Sequence, residues 1–172
     1  MERAHHVHIV ETEIEEYAEG LVELAADEAV ADEPTETDAE GAAAFAICMN
    51  AINFGSGWWP TVRKHPGLSG YGTMAAGVRE RFAADGPWRA EELAAMEPGA
   101  IADVVAQDTG HPLMAEFAAA LGDVGAHLLA EFDGRYRGAA EGVESIPALA
   151  SRFAGWEAFA DVSSYEGREV PF

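Results

Sequence analysis

Apolar positions recur at helical spacing along most of the chain. After a Thr12-x-x-Glu15 capping box, Ile14, Tyr17, Ala18, Leu21, Val22 and Ala25 fall on one face, which predicts an amphipathic helix running to about residue 29. Residues 32–38, with Pro34 among alternating threonines and acids, read as a loop. The next stretch, 39–53, is almost wholly apolar and predicts a helix buried on most faces, ended by Gly55-Ser56-Gly57. From there to Gly70 the chain is dense in breakers: Gly55, Gly57, Pro60, Pro66, Gly67 and Gly70. A loop of that length inside a domain is more often functional than idle.

Further helices are predicted over 71–84, stopped by Asp85-Gly86-Pro87, then over 89–96 and 99–107 either side of Pro98-Gly99. A long one begins at Pro112, carries Leu113, Phe117, Leu121, Val124, Leu128 and Phe132 on one face, and closes at Gly134. Residues 145–153 complete the set, 156–162 are ambiguous, and Tyr165-Glu166-Gly167-Arg168 reads as a turn. No strand-like alternation competes with these helices and no internal repeat is visible. The predicted fold class is all-α, with residues 1–10 as a leader and 11–172 as one helical domain. Val170-Pro171-Phe172 is apolar with no polar tail after it, so the chain reads as the N-terminal portion of a longer domain.

Charge narrows the possible partners. Against 31 Asp and Glu stand 10 Lys and Arg, a formal net charge of −21 over 172 residues. That average field repels a phosphate backbone, which argues against direct nucleic-acid binding. A small anionic ligand is still compatible, because a local site answers to its own donors and helix ends. Between Glu11 and Glu40 the chain has no Lys or Arg. This reads as a solvated face with a disordered connector, and suits either a salt-rich cytoplasm or simple solubility. The single cysteine, Cys48, rules out an internal disulfide or a thiolate zinc site. With no run of about 18 uninterrupted apolar residues and no signal-peptide pattern, the expectation is a cytoplasmic protein without a membrane partner.

His5, His6 and His8 have the residue type of metal ligands but lack a spaced partner, and read as part of the leader. His127 falls within the long helix and reads as packing or surface. The segment richest in chemistry is Asn50-Ala51-Ile52-Asn53-Phe54, then Gly55-Ser56-Gly57-Trp58-Trp59-Pro60, then Ser69-Gly70-Tyr71. Two amides and a ring enter a glycine-rich loop with adjacent indoles, an arrangement suited to a flat heteroaromatic ligand. Indole faces stack on a base, and an Asn amide offers one donor and one acceptor to its edge. Ser69-Gly70 opens a helix whose first N–H groups suit a phosphate. The alternative is that Trp58 and Trp59 plug the core and Asn53 caps its helix.

Asn53-Phe54, Trp58-Trp59-Pro60 and Ser69-Gly70-Tyr71 together resemble the queuosine salvage family, the queuosine 5′-phosphate N-glycosylases. The likeness continues in order through Leu113-Met114-Ala115-Glu116, Leu121-Gly122-Asp123-Val124-Gly125, Phe132-Asp133-Gly134, Asp161-Val162, Tyr165-Glu166-Gly167 and Val170-Pro171-Phe172. It implies a helical fold akin to DNA glycosylases and hydrolysis of an N-glycosidic bond, releasing queuine and ribose 5-phosphate. No metal or organic cofactor is implied. A carboxylate would stabilise the oxocarbenium-like centre or activate water. The substrate-contacting residues implied are Asn53, Phe54, Trp58, Trp59, Gly70 and Tyr71. The resemblance also implies a segment following Phe172 that carries a principal active-site Asp, leaving the catalytic residue in this chain unknown. Gly72 stands where many members have a second aromatic, and a glycine-serine insertion lengthens the loop before Trp58. Asp108, Glu116 and Asp161 read as caps or surface charges. Three readings follow: the base- and phosphate-binding portion of a hydrolase, completed by a C-terminal polypeptide; a module that binds a modified nucleoside without turnover; or a remnant that self-associates through its apolar end.

Overall fold

A computed structural model of the chain describes residues 36–160, 162–165 and 167–171. The chain divides into two units, Met1–Thr35 and Glu36–Phe172, and the described residues all belong to the second. The predicted helix at 12–29 and His5, His6 and His8 lie outside the described residues. Six α-helices follow in order: α1 (Glu36–Ala51), α2 (Gly70–Asp85), α3 (Ala90–Ala94), α4 (Pro98–Val104), α5 (Pro112–Phe132) and α6 (Ile146–Phe153). Short 3-10 turns occupy Gly55–Trp58, Arg137–Ala139 and Glu157–Phe159. The all-α class holds.

Helix ends fall where capping chemistry places them. Ser69 Oγ accepts the Gly72 N–H at 2.9 Å and opens α2; Ser145 Oγ accepts the Ala148 N–H at 3.3 Å and opens α6. Pro occupies the first turn of α4, α5 and α6, where its missing N–H costs nothing. Helix α5 ends with Asp133 in the left-handed region (φ 53°), and Gly134 donates its N–H back to the Leu128 carbonyl at 2.9 Å.

The core is organised around α5. Leu113, Met114, Phe117, Leu121, Val124 and Leu128 are buried along it, packed mainly against α3 and α4, with α1 alongside. By length and apolar content α5 would pass for a membrane span, but half of that stretch is buried inside the protein. Gly125 is what lets α3 approach. A Cβ there would collide with the backbone of Ala90 and Ala94. At the far end Trp156 is buried, stacked flat on the His127 ring at 4.8 Å, while Asp123 accepts the Ala158 N–H at 2.9 Å.

Helix α1 is buried or half-buried on most of its faces, as its apolar sequence predicts. Ala44, Ile47, Cys48, Met49 and Ala51 face the core, and the exposed positions Ala42, Ala46 and Asn50 form a single outward stripe at four-residue spacing. Alanine carries too little apolar area to force that side inward. One expectation is corrected. Where the sequence predicts no strand, the C-terminal region contains an antiparallel hairpin, β1 (Val162–Tyr165) with β2 (Arg168–Pro171), in which Tyr165 pairs with Arg168; of the ambiguous stretch 156–162 only Val162 belongs to it. Gly167 takes φ 76° at its turn, as the Tyr165–Arg168 pattern predicts.

Candidate functional site

The breaker-rich segment between α1 and α2 is an ordered loop held by three polar clasps, two of them from distant parts of the chain. Gln107, in the link from α4 to α5, is buried; its Oε1 accepts the Arg63 N–H at 2.8 Å and its Nε2 donates to the Arg63 carbonyl at 2.8 Å and to Val105 at 2.9 Å. One amide side chain thereby replaces the two-way pairing a strand neighbour would give. Thr73 of α2 is buried; its Oγ1 accepts the His65 N–H at 3.1 Å and donates to the Ser69 carbonyl at 2.9 Å.

The third clasp runs through His111. The Leu113 N–H donates to His111 Nδ1 at 3.2 Å, so that nitrogen is bare and the proton sits on Nε2. Nε2–H then reaches Thr61 Oγ1 at 2.9 Å, and the Thr61 hydroxyl donates to the Trp58 carbonyl at 2.8 Å. The cap of α5 and the tip of the loop thus share one hydrogen-bond chain. The same imidazole meets the Trp58 ring edge to face at 5.6 Å.

On this frame the sequence-predicted residues separate into two kinds. Phe54, Trp58 and Tyr71 are open to solvent at 46%, 39% and 40%, with Leu68 beside them in sequence at 43%. Asn53 is exposed as well. Phe54 meets Phe117 of the core in a T-shaped contact at 5.5 Å, which anchors a ring that stays exposed. Trp59 behaves differently. It is half-buried, and its indole lies against Gly55 and Gly70, where an added Cβ at Gly70 would sit 2.6 Å from Trp59 Cγ and Cδ2. Gly70 is itself buried, so only its backbone could face a ligand. The core-plug alternative therefore describes the position of Trp59 and not that of Trp58. Among the described residues no ring contact joins Tyr71 to Trp58 or Phe54.

The remaining candidates are accounted for locally. Asp108 Oδ1 accepts the Gly110 N–H at 2.8 Å, a turn-capping role, and Glu116 is exposed. Asp161 lies outside the described residues. A shallow cavity of about 280 Å³, lined by Ala140, Val143, Glu144, Ser145, Ile146 and Leu149, shares no residue with the loop. Among the described residues no group of three or more His, Cys, Asp or Glu is placed to hold a metal ion.

Gln107, Thr73, Thr61 and His111 are the residues the sequence reading missed. Gln107 and the Thr61–His111 pair act across separations of 44 and 50 residues, and Thr73 reaches back eight residues to His65, so none of them leaves a periodic pattern to detect.

Open rings on a fixed loop suit a planar ligand. In a comparison with curated proteins, none matched the chain. The family described as queuosine salvage protein matches residues 33–172, about four fifths of the chain, including every residue of the loop. The chain belongs to the queuosine salvage family.

Proposed function

We propose that this chain supplies the base- and phosphate-binding portion of a hydrolase that cleaves the N-glycosidic bond of queuosine 5′-phosphate and releases queuine. The observation that carries the reading is the exposure of Phe54 and Trp58 on a loop fixed by Gln107, Thr73 and His111, with Tyr71 exposed in the first turn of the helix that follows. Leaving three large rings in water sacrifices apolar burial, which a stacking ligand recovers. A fixed loop also loses little freedom when that ligand arrives.

In this reading the rings of Phe54, Trp58 and Tyr71 stack on the flat base, and the exposed Asn53 amide pairs with its edge. Trp59 holds the start of α2 in place through Gly70, so that the first N–H groups of the helix face the phosphate. Ser69 already satisfies the Gly72 N–H. In the reaction, water adds at the anomeric carbon as the glycosidic bond breaks, and the base leaves with a proton. A carboxylate is expected to activate that water. Asp108, used by its own turn, favours as second reading a module that holds the nucleotide without turning it over.

The test is release of free queuine from queuosine 5′-phosphate by the purified chain, with the ligand-induced shift in melting temperature recorded in parallel. Catalytic release supports hydrolysis by this chain itself. A shift without release supports the binding portion. Neither release nor shift overturns both readings.

A further inference from the structure

Acid is excluded from one part of this chain. Residues 41–79 contain no Asp or Glu, although the whole sequence carries 31 of them, and the stretch holds Arg63, Lys64 and Arg79. It is also the stretch that bears the aromatic loop. Lys64 is the sole lysine of the 172 residues, and it stands next to Arg63.

Five other cations among the described residues are engaged. Arg81, Arg89 and Arg135 pair with carboxylates, Arg79 lies over the Phe45 ring, and Arg152 donates to backbone carbonyls. Arg63 and Lys64 are exposed, and neither side chain has a partner among the described residues. In a chain with three acids for every base, an adjacent pair of cations that no carboxylate among the described residues engages is a positive site suited to an anion.

The backbone beneath that pair is fixed. Gln107 holds both polar groups of Arg63, and the His65 N–H is bound to Thr73 in the first turn of α2. The Leu68 N–H returns to the His65 carbonyl at 3.1 Å. The cationic segment is therefore tied to the start of α2, whose peptide dipoles favour negative charge, and begins four residues after Trp59.

We propose that Arg63 and Lys64 are the specificity-determining residues that recognise the 5′-phosphate and select the nucleotide over its nucleoside. The inference rests on the reading of this loop as a nucleotide-binding surface. The anion is a terminal phosphomonoester rather than a polynucleotide, because two cations suffice for one phosphate, whereas the net charge of −21 opposes a polyanion.

The test is calorimetric titration of the full chain with queuosine 5′-phosphate and with queuosine, comparing the Arg63→Gln/Lys64→Gln double variant and Trp58→Ala. Both side chains are exposed and their backbone is held by Gln107, so the double variant is expected to melt near the wild type. The expected result is a preference for the phosphorylated ligand that falls by roughly tenfold in the double variant, with queuosine binding unchanged. Trp58→Ala is expected to weaken both ligands together and keep their ratio. Equal binding of the two ligands by the wild type, or an unchanged preference in the double variant, overturns the inference and leaves base binding standing. Failure of the wild type to bind either ligand overturns the reading of the loop as well.

Discussion

Replacing Gln107 with alanine should release the aromatic loop from the body of the protein. The side chain makes three hydrogen bonds at 2.8, 2.8 and 2.9 Å, two of them to the backbone of Arg63 and one to Val105. At about 1 kcal/mol net for each, the loss would approach 3 kcal/mol, and water reaching the exposed Arg63 reduces it to about 2 kcal/mol. In urea, with a slope of about 2 kcal/mol per molar, the unfolding midpoint should drop by about 1 M at unchanged slope. Hydrogen exchange should show the Arg63 amide opening while the α5 amides keep their protection relative to global unfolding. Gln107→Glu keeps the acceptor for Arg63 N–H but sets a carboxylate oxygen against two carbonyls, and should cost at least as much. The reasoning is refuted if Gln107→Ala stays within about 0.5 kcal/mol of the wild type and the Arg63 amide exchanges no faster.

The two adjacent tryptophans should part company on mutation. Trp59→Ala empties the space between Gly55 and Gly70 and should cost about 2–3 kcal/mol by chemical denaturation, whereas the exposed Trp58→Ala should cost under about 1 kcal/mol yet reduce the ligand-induced melting shift. Gly70→Ala brings a Cβ against the Trp59 ring and should lower stability by about 1–3 kcal/mol, while Gly57→Ala, which meets no atom within 4 Å, serves as the neutral comparison in the same melts. Burial pushes the Cys48 thiol from 9.0 up to about 12, and burial likewise drives the Tyr136 hydroxyl upward from its usual 10.0. The unfolded chain therefore releases these protons first, so stability present below about pH 9 should fall as pH rises toward 12. Melting temperature against pH checks the sign, and a flat profile above pH 9 contradicts it. The same burial predicts that Cys48 reacts with a thiol reagent only after unfolding.

Much of this architecture is readable before any coordinates. The period of Leu113, Phe117, Leu121, Val124 and Leu128, with Pro112 in front and Gly134 behind, marks α5 to within a residue or two, because caps and periodicity are local properties. Ser69 and Ser145 likewise announce the helices they cap. The hairpin at 162–171 escapes such reading, since two four-residue strands are too short to display alternation against a helical background. In the loop, the residue types of Asn53, Phe54, Trp58 and Tyr71 suggest ring stacking, but nothing local says that Trp58 opens to solvent while Trp59 turns inward. That distinction depends on Gly70 and on His111, brought in from beyond the loop. Long-range polar clasps are the part of a fold that one sequence hides best.

One such clasp sets a schedule for assembly. The Glu40 carboxylate of α1 accepts the Tyr136 N–H at 2.7 Å and the Arg137 N–H at 3.0 Å, across separations of 96 and 97 residues. Closing a loop of that size costs entropy before any contact repays it. During synthesis, at about 5–20 residues per second, α1 waits roughly 5–20 s for these amides to be made. For most of that interval the core face of α1, with Ile47, Cys48 and Met49, has no complete α5 to pack on, so the nascent chain exposes it to chaperones and to like chains. Slower translation ahead of residue 137 lengthens the exposure, and Glu40 marks the point at which it ends.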